Sequence, residues 1–114
     1  MDALTAAVLM KNLDGLALRA EATSQNIANA NSPGYRPVQV TFETALARAA
    51  SRGAEAVDAV RPEVIADARF VPGDAVRLDL EMVTASSTAG RFAALVELLN
   101  RHAQISALAV SGGR

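Results

Sequence analysis

A repeating pattern of apolar residues near the N-terminus most strongly limits what this chain can fold into. Across residues 3–30, the pattern recurs at alternating intervals of three and four positions, at Ala6, Leu9, Leu13, Leu16, Ala20, Thr23, Ile27 and Ala30. This spacing places one stripe along a helix for more than three heptads. Gly15 interrupts it at some cost in helix propensity. The pattern predicts a long amphipathic helix that needs a partner helix.

A second repeat of the same kind occupies residues 76–110. Its positions are Leu78, Met82, Ala85, Ala89, Phe92, Val96, Leu99, Ala103, Ser106 and Val110. A further stripe widens the apolar face, at Leu95, Leu98, Ile105 and Leu108. Asp79 and Glu81 lie near the predicted start, where acidic groups favour the helix dipole. We expect the two repeats to pair as an antiparallel coiled-coil-like hairpin. One partner helix cannot cover so wide a face, so the hairpin should gain stability on assembly.

An asparagine-rich turn separates the first repeat from the middle of the chain. Pro33 disfavours helical geometry in the residue before it, and Gly34 permits the positive φ of a tight turn. Asn26, Asn29 and Asn31 are poor helix formers that bond readily to nearby backbone. We therefore expect the first helix to end here.

The middle of the chain shows no sustained period. Val38, Val40 and Phe42 alternate with polar residues as in a short strand, whereas Thr41 could cap a short helix that includes Leu46. Residues 54–61 resemble a linker, residues 63–65 and 69–71 short extended pieces, and residues 72–74 a turn. The sequence thus predicts one mainly α domain: a helix in residues 1–31, an irregular segment in 32–75, and a helix with a frayed tail in 76–114.

The composition argues against several classes of function. Eleven basic and twelve acidic residues give a net charge of −1, which provides no general attraction to nucleic acid. Cysteine is absent, and the single histidine, His102, has no second histidine or close carboxylate pair beside it. No apolar run reaches the length of a membrane span. We expect no catalytic site, no metal or cofactor, no small-molecule substrate and no membrane span.

The segment Ala28-Asn-Ala-Asn-Ser-Pro-Gly-Tyr-Arg36 resembles the signature that follows the N-terminal helix of bacterial flagellar rod and hook axial proteins. The positions that carry the resemblance are Asn26, Ala28, Asn29, Asn31, Ser32, Pro33, Gly34 and Tyr35. Ser32 stands where the family pattern has threonine, which retains the hydroxyl. The segment Leu78-Asp-Leu-Glu-Met-Val83 is similar to the start of the family's second helix. Within that family, the chain length favours the small rod subunits.

The resemblance implies a structural subunit of the flagellar basal-body rod, in the periplasm. Such a subunit would leave the cytosol through the flagellar type III apparatus without a cleaved signal peptide. It would assemble helically with itself and other rod proteins, near the FliE-type adaptor, the MS ring and the export gate. Phe42 and Leu46 resemble a short element that the export gate recognises.

The residues expected to form the assembly seam are Leu9, Leu13, Leu16, Ala20, Ile27, Leu78, Met82, Ala85, Ala89, Phe92, Val96 and Leu99. Two alternatives remain at this point: a sibling rod subunit of the same family, and a small cytosolic coiled-coil adaptor or chaperone. The turn at residues 29–35 separates the first hypothesis from the adaptor, which has no need of it.

Overall fold

The computed structural model describes residues 1–112, which are mainly helical. The elements are α1 (Ala3–Ala28), β1 (Val38–Thr41), α2 (Glu43–Ala50), α3 (Ala54–Asp58), β2 (Glu63–Ala66) and α4 (Leu78–Gly112). The predictions of a mainly α chain with two long terminal helices are confirmed. Helix α4 continues through Gly112, two residues beyond the end of the second repeat at residue 110. Residues 113–114, at the end of the expected frayed tail, lie outside the described residues.

Helix α1 is closed by side chains and backbone at both ends. The Thr5 backbone amide donates to Asp2 Oδ1 at 2.7 Å, and hydrogen bonding from Thr5 lowers the pKa of the Asp2 carboxyl. At the other end, the Asn29 amide donates to the carbonyl of Gln25 at 3.0 Å. The chain then turns through Gly34, whose φ of 74° is the left-handed conformation that glycine tolerates. Helix α1 thus ends at Ala28, two residues before the end of the apolar repeat at residue 30.

The middle segment contains more regular structure than its sequence suggests. Strands β1 and β2 pair antiparallel, with Val38 opposite Ala66 and Thr41 opposite Glu63. Both alternatives for residues 38–46 are partly right, because strand β1 leads directly into helix α2. Phe42, rather than Thr41, occupies the N-cap position of α2. The expected linker at 54–61 contains α3, and residues 69–71 lie outside both strands.

The hydrophobic core lies between α1 and the middle segment. Its buried members are Leu16, Ala22, Val40, Phe42, Leu46, Ala49, Val57 and Val60. They come from α1, β1, α2, α3 and the residues just after α3, so the short elements form a compact body on one side of α1. Burial of this apolar surface is the main source of stability for that body.

Helix α4 is the longest element, and most of its residues are exposed. Its 35 residues extend over about 52 Å at 1.5 Å per residue, and the chain measures 65 × 27 × 14 Å overall. Only Glu81 and Thr88 are fully buried on it, and Leu95 is partly buried against the core. No helix within residues 1–112 is both long enough and apolar enough to cross a lipid bilayer.

Candidate assembly site

Asn26 forms a buried polar junction between four parts of the chain. Its side chain is 1% exposed, and its amide donates to the Val38 carbonyl at 2.8 Å and to Glu81 Oε2 at 3.1 Å. Its oxygen accepts from the Val38 amide at 3.0 Å and from the Tyr35 hydroxyl at 2.7 Å. Asn26 therefore bonds to β1 as a neighbouring strand would, and it links α1, the turn, β1 and α4.

The Glu81 carboxylate at this junction is also buried. A buried charge is costly unless polar groups surround it, and the Asn26 amide supplies one hydrogen bond. Burial and the nearby Glu81 charge raise the pKa of the Tyr35 phenol, which keeps the hydroxyl protonated as a donor. Hydrogen bonds to Asp67 are the main cause that raises the pKa of the Arg69 guanidinium, and the Glu81 charge adds to this shift. The junction thus combines neutral donors with one buried anion.

A second junction surrounds the Phe42 ring. Gly15 lies directly against this ring, and a Cβ atom at Gly15 would overlap the ring carbons. The guanidinium carbon of Arg19, one helical turn further along α1, lies 5.0 Å from the ring centroid. Arg19 and Gly15 therefore hold Phe42 against α1. The absence of a side chain at Gly15 permits this close approach and explains a glycine inside a long helix.

Arg19 also pairs with the start of α2. Its two terminal nitrogens donate to the two carboxylate oxygens of Glu43, each at 2.7 Å, and one of them also donates to the Val40 carbonyl at 2.7 Å. These hydrogen bonds from Arg19 are the main cause that lowers the pKa of Glu43 from 4.5 to about 2. The ion pair fixes the β1–α2 junction on α1.

The proposed export-gate residues, Phe42 and Leu46, both lie in the core, and Phe42 is only 2% exposed. In the folded chain neither side chain is accessible to a partner. A protein that recognises them must therefore meet the chain before it folds or after it unfolds locally.

The predicted seam of α4 lies beside its contact face rather than on it. The buried residues of α4, Glu81 and Thr88, differ in helical position from Met82 and Phe92, which are 65% and 37% exposed. Leu78 and Ala89 are also exposed, whereas Ala85, Val96 and Leu99 are half-buried. The stripe is thus partly available for contacts outside the chain.

The predicted seam of α1 is more completely covered. Leu9 and Leu16 are buried and Leu13 is half-buried, whereas Ala20 and Ile27 are exposed. The two seams therefore differ in how much apolar surface they leave uncovered in a single chain.

The residues of the turn motif divide between the buried junction and the surface. Asn26 and Tyr35 meet at the junction. The Ser32 hydroxyl donates to Asn29 Oδ1 at 3.1 Å, and the Asn29 amide group donates to the Gln25 carbonyl at 3.0 Å, both at the surface. The exposed members are Ala28, Asn31, Ser32, Pro33 and Gly34. The motif thus has one buried anchor and an accessible outer edge.

Sequence reasoning missed the long-range roles of Gly15, Arg19, Glu43 and Glu81. Gly15 and Arg19 differ by four positions and so share a helix face, which is the only local sign of their common contact with Phe42. Nothing in the sequence indicated that Glu81 would lie buried beside Asn26.

His102 lies half-buried on α4, and residues 1–112 contain no cluster of three or more histidine, cysteine or acidic residues that could hold a metal ion. The Asn26 and Phe42 junctions join α1 to β1, α2 and α4 through packing, hydrogen bonds and ion pairs. Comparison with models of known protein families gives no match for this chain, and neither does comparison with curated protein sequences.

Proposed function

We propose that this chain is a structural subunit of the bacterial flagellar basal-body rod, most like the proximal rod protein FlgB. The observation that carries the proposal is the exposed apolar stripe of α4, which includes Met82 and Phe92. Uncovered stripes of this kind mark contact sites for other proteins. The resemblance of the turn motif to rod and hook proteins gives the class of partner.

The two terminal helices form an antiparallel hairpin in this proposal. Asn26, near the end of α1, bonds to Glu81, near the start of α4. Further back along α1, Arg19 shares the Glu43 carboxylate with Arg91, which lies further forward along α4. A contact nearer the start of α1 is thus matched by one further along α4. This order supports an antiparallel arrangement of the two helices.

The Asn26 junction sets the geometry of the subunit in the rod. Four hydrogen bonds connect the end of α1 to the turn, β1 and α4. They fix the orientation of the middle segment relative to the two long helices. A torque-transmitting tube needs such stiffness. The terminal helices then pack with those of neighbouring subunits, and the exposed edge of the turn remains available to them.

The route to the rod follows from the family resemblance and is compatible with the buried core. The chain leaves the cytosol unfolded through the type III export gate, where Phe42 and Leu46 are accessible. It folds on assembly in the periplasm, at the rod base near the FliE-type adaptor and the MS ring. The alternatives are the sibling rod protein FlgC, which occupies a different axial position, and a cytosolic coiled-coil adaptor or chaperone.

A motility assay with the substitution Phe92→Asp tests this proposal. The strain that encodes this chain would have its gene deleted and be complemented with the wild type or the variant. We expect Phe92→Asp to abolish swimming and rod incorporation while secretion and helix content remain, because a buried carboxylate opposes helix packing at the seam. The matched control is Val71→Asp, which changes an exposed apolar residue outside α4.

Swimming by the Phe92→Asp strain would contradict the proposal. Retention of the wild-type chain in the cytosolic fraction, with motility intact after deletion, would favour the adaptor. The axial position of a tagged wild-type chain in purified basal bodies, by cryo-electron microscopy, separates the FlgB-like from the FlgC-like role.

A further inference from the structure

An arginine-lined cleft opens between the N-terminal half of α4, strand β1 and α1. Its volume is about 490 Å³, and its charged residues are Arg19, Arg69, Arg91 and Glu43. Hydroxyl groups from β1 and α4 complete the polar lining, at Thr41, Thr84, Ser87 and Thr88. Hereafter we call this feature the arginine cleft.

The arginine cleft carries more positive charge than its own carboxylate can neutralise. Glu43 already accepts two short hydrogen bonds from Arg19, and Arg91 reaches the same carboxylate only at 3.6 Å. The Arg91 side chain is 51% exposed. Arg69 pairs with Asp67 and is likewise half exposed to the cleft. Arg91 is therefore an exposed cation at the mouth of the cleft. Its nearby carboxylate, Glu43, is already bonded to Arg19.

A complementary negative surface lies on the outer face of α1. Asp14, Ala17, Glu21, Ser24 and Ala28 follow one another at intervals of three and four, and all are exposed. Within the described part of the chain, neither Asp14 nor Glu21 forms an ion pair. Seven residues separate these two carboxylates, which is about 10 Å along the helix. The small side chains between and beyond them allow another surface to approach closely.

We propose that the arginine cleft binds the acidic α1 face of a second copy of this chain, with Glu21 pairing with Arg91. This inference deepens the proposed function, because it names a contact between subunits that an assembling rod protein would use. The two surfaces differ, so the contact joins unlike faces of two copies and leaves one of each face unoccupied. Such a head-to-tail contact extends into an open helical array when the rotation between successive copies does not close a ring.

The charges make the orientation specific. Complementary charges favour the encounter of matching surfaces, and like charges placed opposite each other oppose wrong pairings. The uncovered apolar stripe of α4 would then add packing area beside the ionic contact. Because the ionic part is solvent-exposed, the association should weaken as salt is raised.

A charge-exchange experiment on the full-length chain tests the inference. Self-association of the wild type, Arg91→Glu, Glu21→Arg and the double variant would be measured by sedimentation velocity over a concentration series at low and high salt. We expect each single variant to associate about tenfold more weakly and the double variant to recover most of the loss, because its charges are exchanged rather than removed. The control is Arg101→Glu, which removes a solvent-exposed pair with Glu97 elsewhere on α4.

Several outcomes would overturn the inference. These are wild-type behaviour in both single variants, no recovery in the double variant, an equal loss in the Arg101→Glu control, or no self-association of the wild type at any concentration. Inorganic phosphate that raises the wild-type melting temperature without changing its mass would assign the cleft to a small anion instead. Circular dichroism of Glu21→Arg, whose substitution lies on an exposed face, separates a lost contact from a lost fold.

The inference and the proposed function fail separately. If the charge exchange restores self-association but the Phe92→Asp strain still swims, the contact between copies is supported and the rod assignment is contradicted. If Phe92→Asp blocks rod incorporation but the exchanged pair shows no recovery, the rod assignment stands and this contact falls.

Discussion

The body formed by α1 and the middle segment differs sharply from α4 in what its residues contact. Phe42 in the body is 2% exposed, whereas Phe92 on α4 is 37% exposed. Gly15 lies against an aromatic ring, whereas a Cβ atom added at Gly90 would meet open space. The same residue types thus serve packing inside the chain in one region and face outward in the other.

This difference separates stability from association. The body contains the apolar core and the polar junctions, so its substitutions should change the free energy of unfolding. Helix α4 contributes Glu81 and Thr88 to the interior and leaves many of its long apolar side chains, such as Met82, uncovered. Its substitutions should instead change contacts between chains. Matched pairs of variants test this separation.

Phe42→Ala should have the largest effect on the monomer. Removal of a fully buried ring leaves a cavity and should lower the free energy of unfolding by about 3–5 kcal/mol. Phe92→Ala should lower it by less than about 1.5 kcal/mol, since its ring is already partly in water. Chemical denaturation of both variants at a concentration where the chain is monomeric measures the difference. Equal losses would show that α4 is as tightly packed as the body.

Asn26→Leu should come next. The substitution removes four hydrogen bonds and leaves the buried Glu81 carboxylate and the Val38 backbone groups without their partner. We expect a loss of about 3 kcal/mol in the free energy of unfolding. Asn31→Leu, in the exposed part of the same turn, should change it by no more than about 0.5 kcal/mol. A mild Asn26→Leu variant would mean that the junction contributes little to the fold.

Gly15→Ala and Gly90→Ala should change stability in opposite directions. Helix propensity alone favours alanine at both positions by about 1 kcal/mol. At Gly15 the added methyl overlaps the Phe42 ring, and the repacking should cost about 1–3 kcal/mol. At Gly90 only the propensity gain applies. Thermal melting of the two variants gives the signs, and stabilisation by Gly15→Ala would remove the close-contact explanation.

The long helices could be predicted from sequence because apolar spacing is a local property of the chain. Helix α3 could not, since a five-residue helix with one buried side chain, Val57, is too short to show a period. The asparagines were expected to bond to nearby backbone, and Asn29 does. Asn26 instead bonds to Val38, twelve residues away, and to Glu81, 55 residues away. Contacts across such separations depend on the tertiary fold and leave no mark in local spacing.

The candidate site was predictable to the same extent. The apolar stripe of α4 could be predicted from the sequence. The side of α4 that faces α1 could not, because the sequence shows two apolar stripes and does not indicate which one contacts α1. The buried positions Glu81 and Thr88 are polar, and hydrophobic periodicity gives such residues no weight. From the sequence, Gly15 could be interpreted only as a residue that lowers helix propensity. The structure shows that glycine at this position makes room for the Phe42 ring.

Glu43→Gln should have the smallest effect, and it should depend on pH. The pKa of Glu43 is about 2 in the folded chain and 4.5 in its ordinary state, so the unfolded chain binds more protons between these values. Stability from the Arg19–Glu43 pair is therefore present above about pH 4.5 and is lost as the pH falls towards 2. The Glu43 side chain is partly exposed, so solvent limits the contribution to about 1 kcal/mol. Urea denaturation of wild type and variant at several pH values should show their difference shrinking over this interval. Glu97→Gln, on the exposed part of α4, is the control, and a difference that stayed constant with pH would assign the effect to packing rather than to charge.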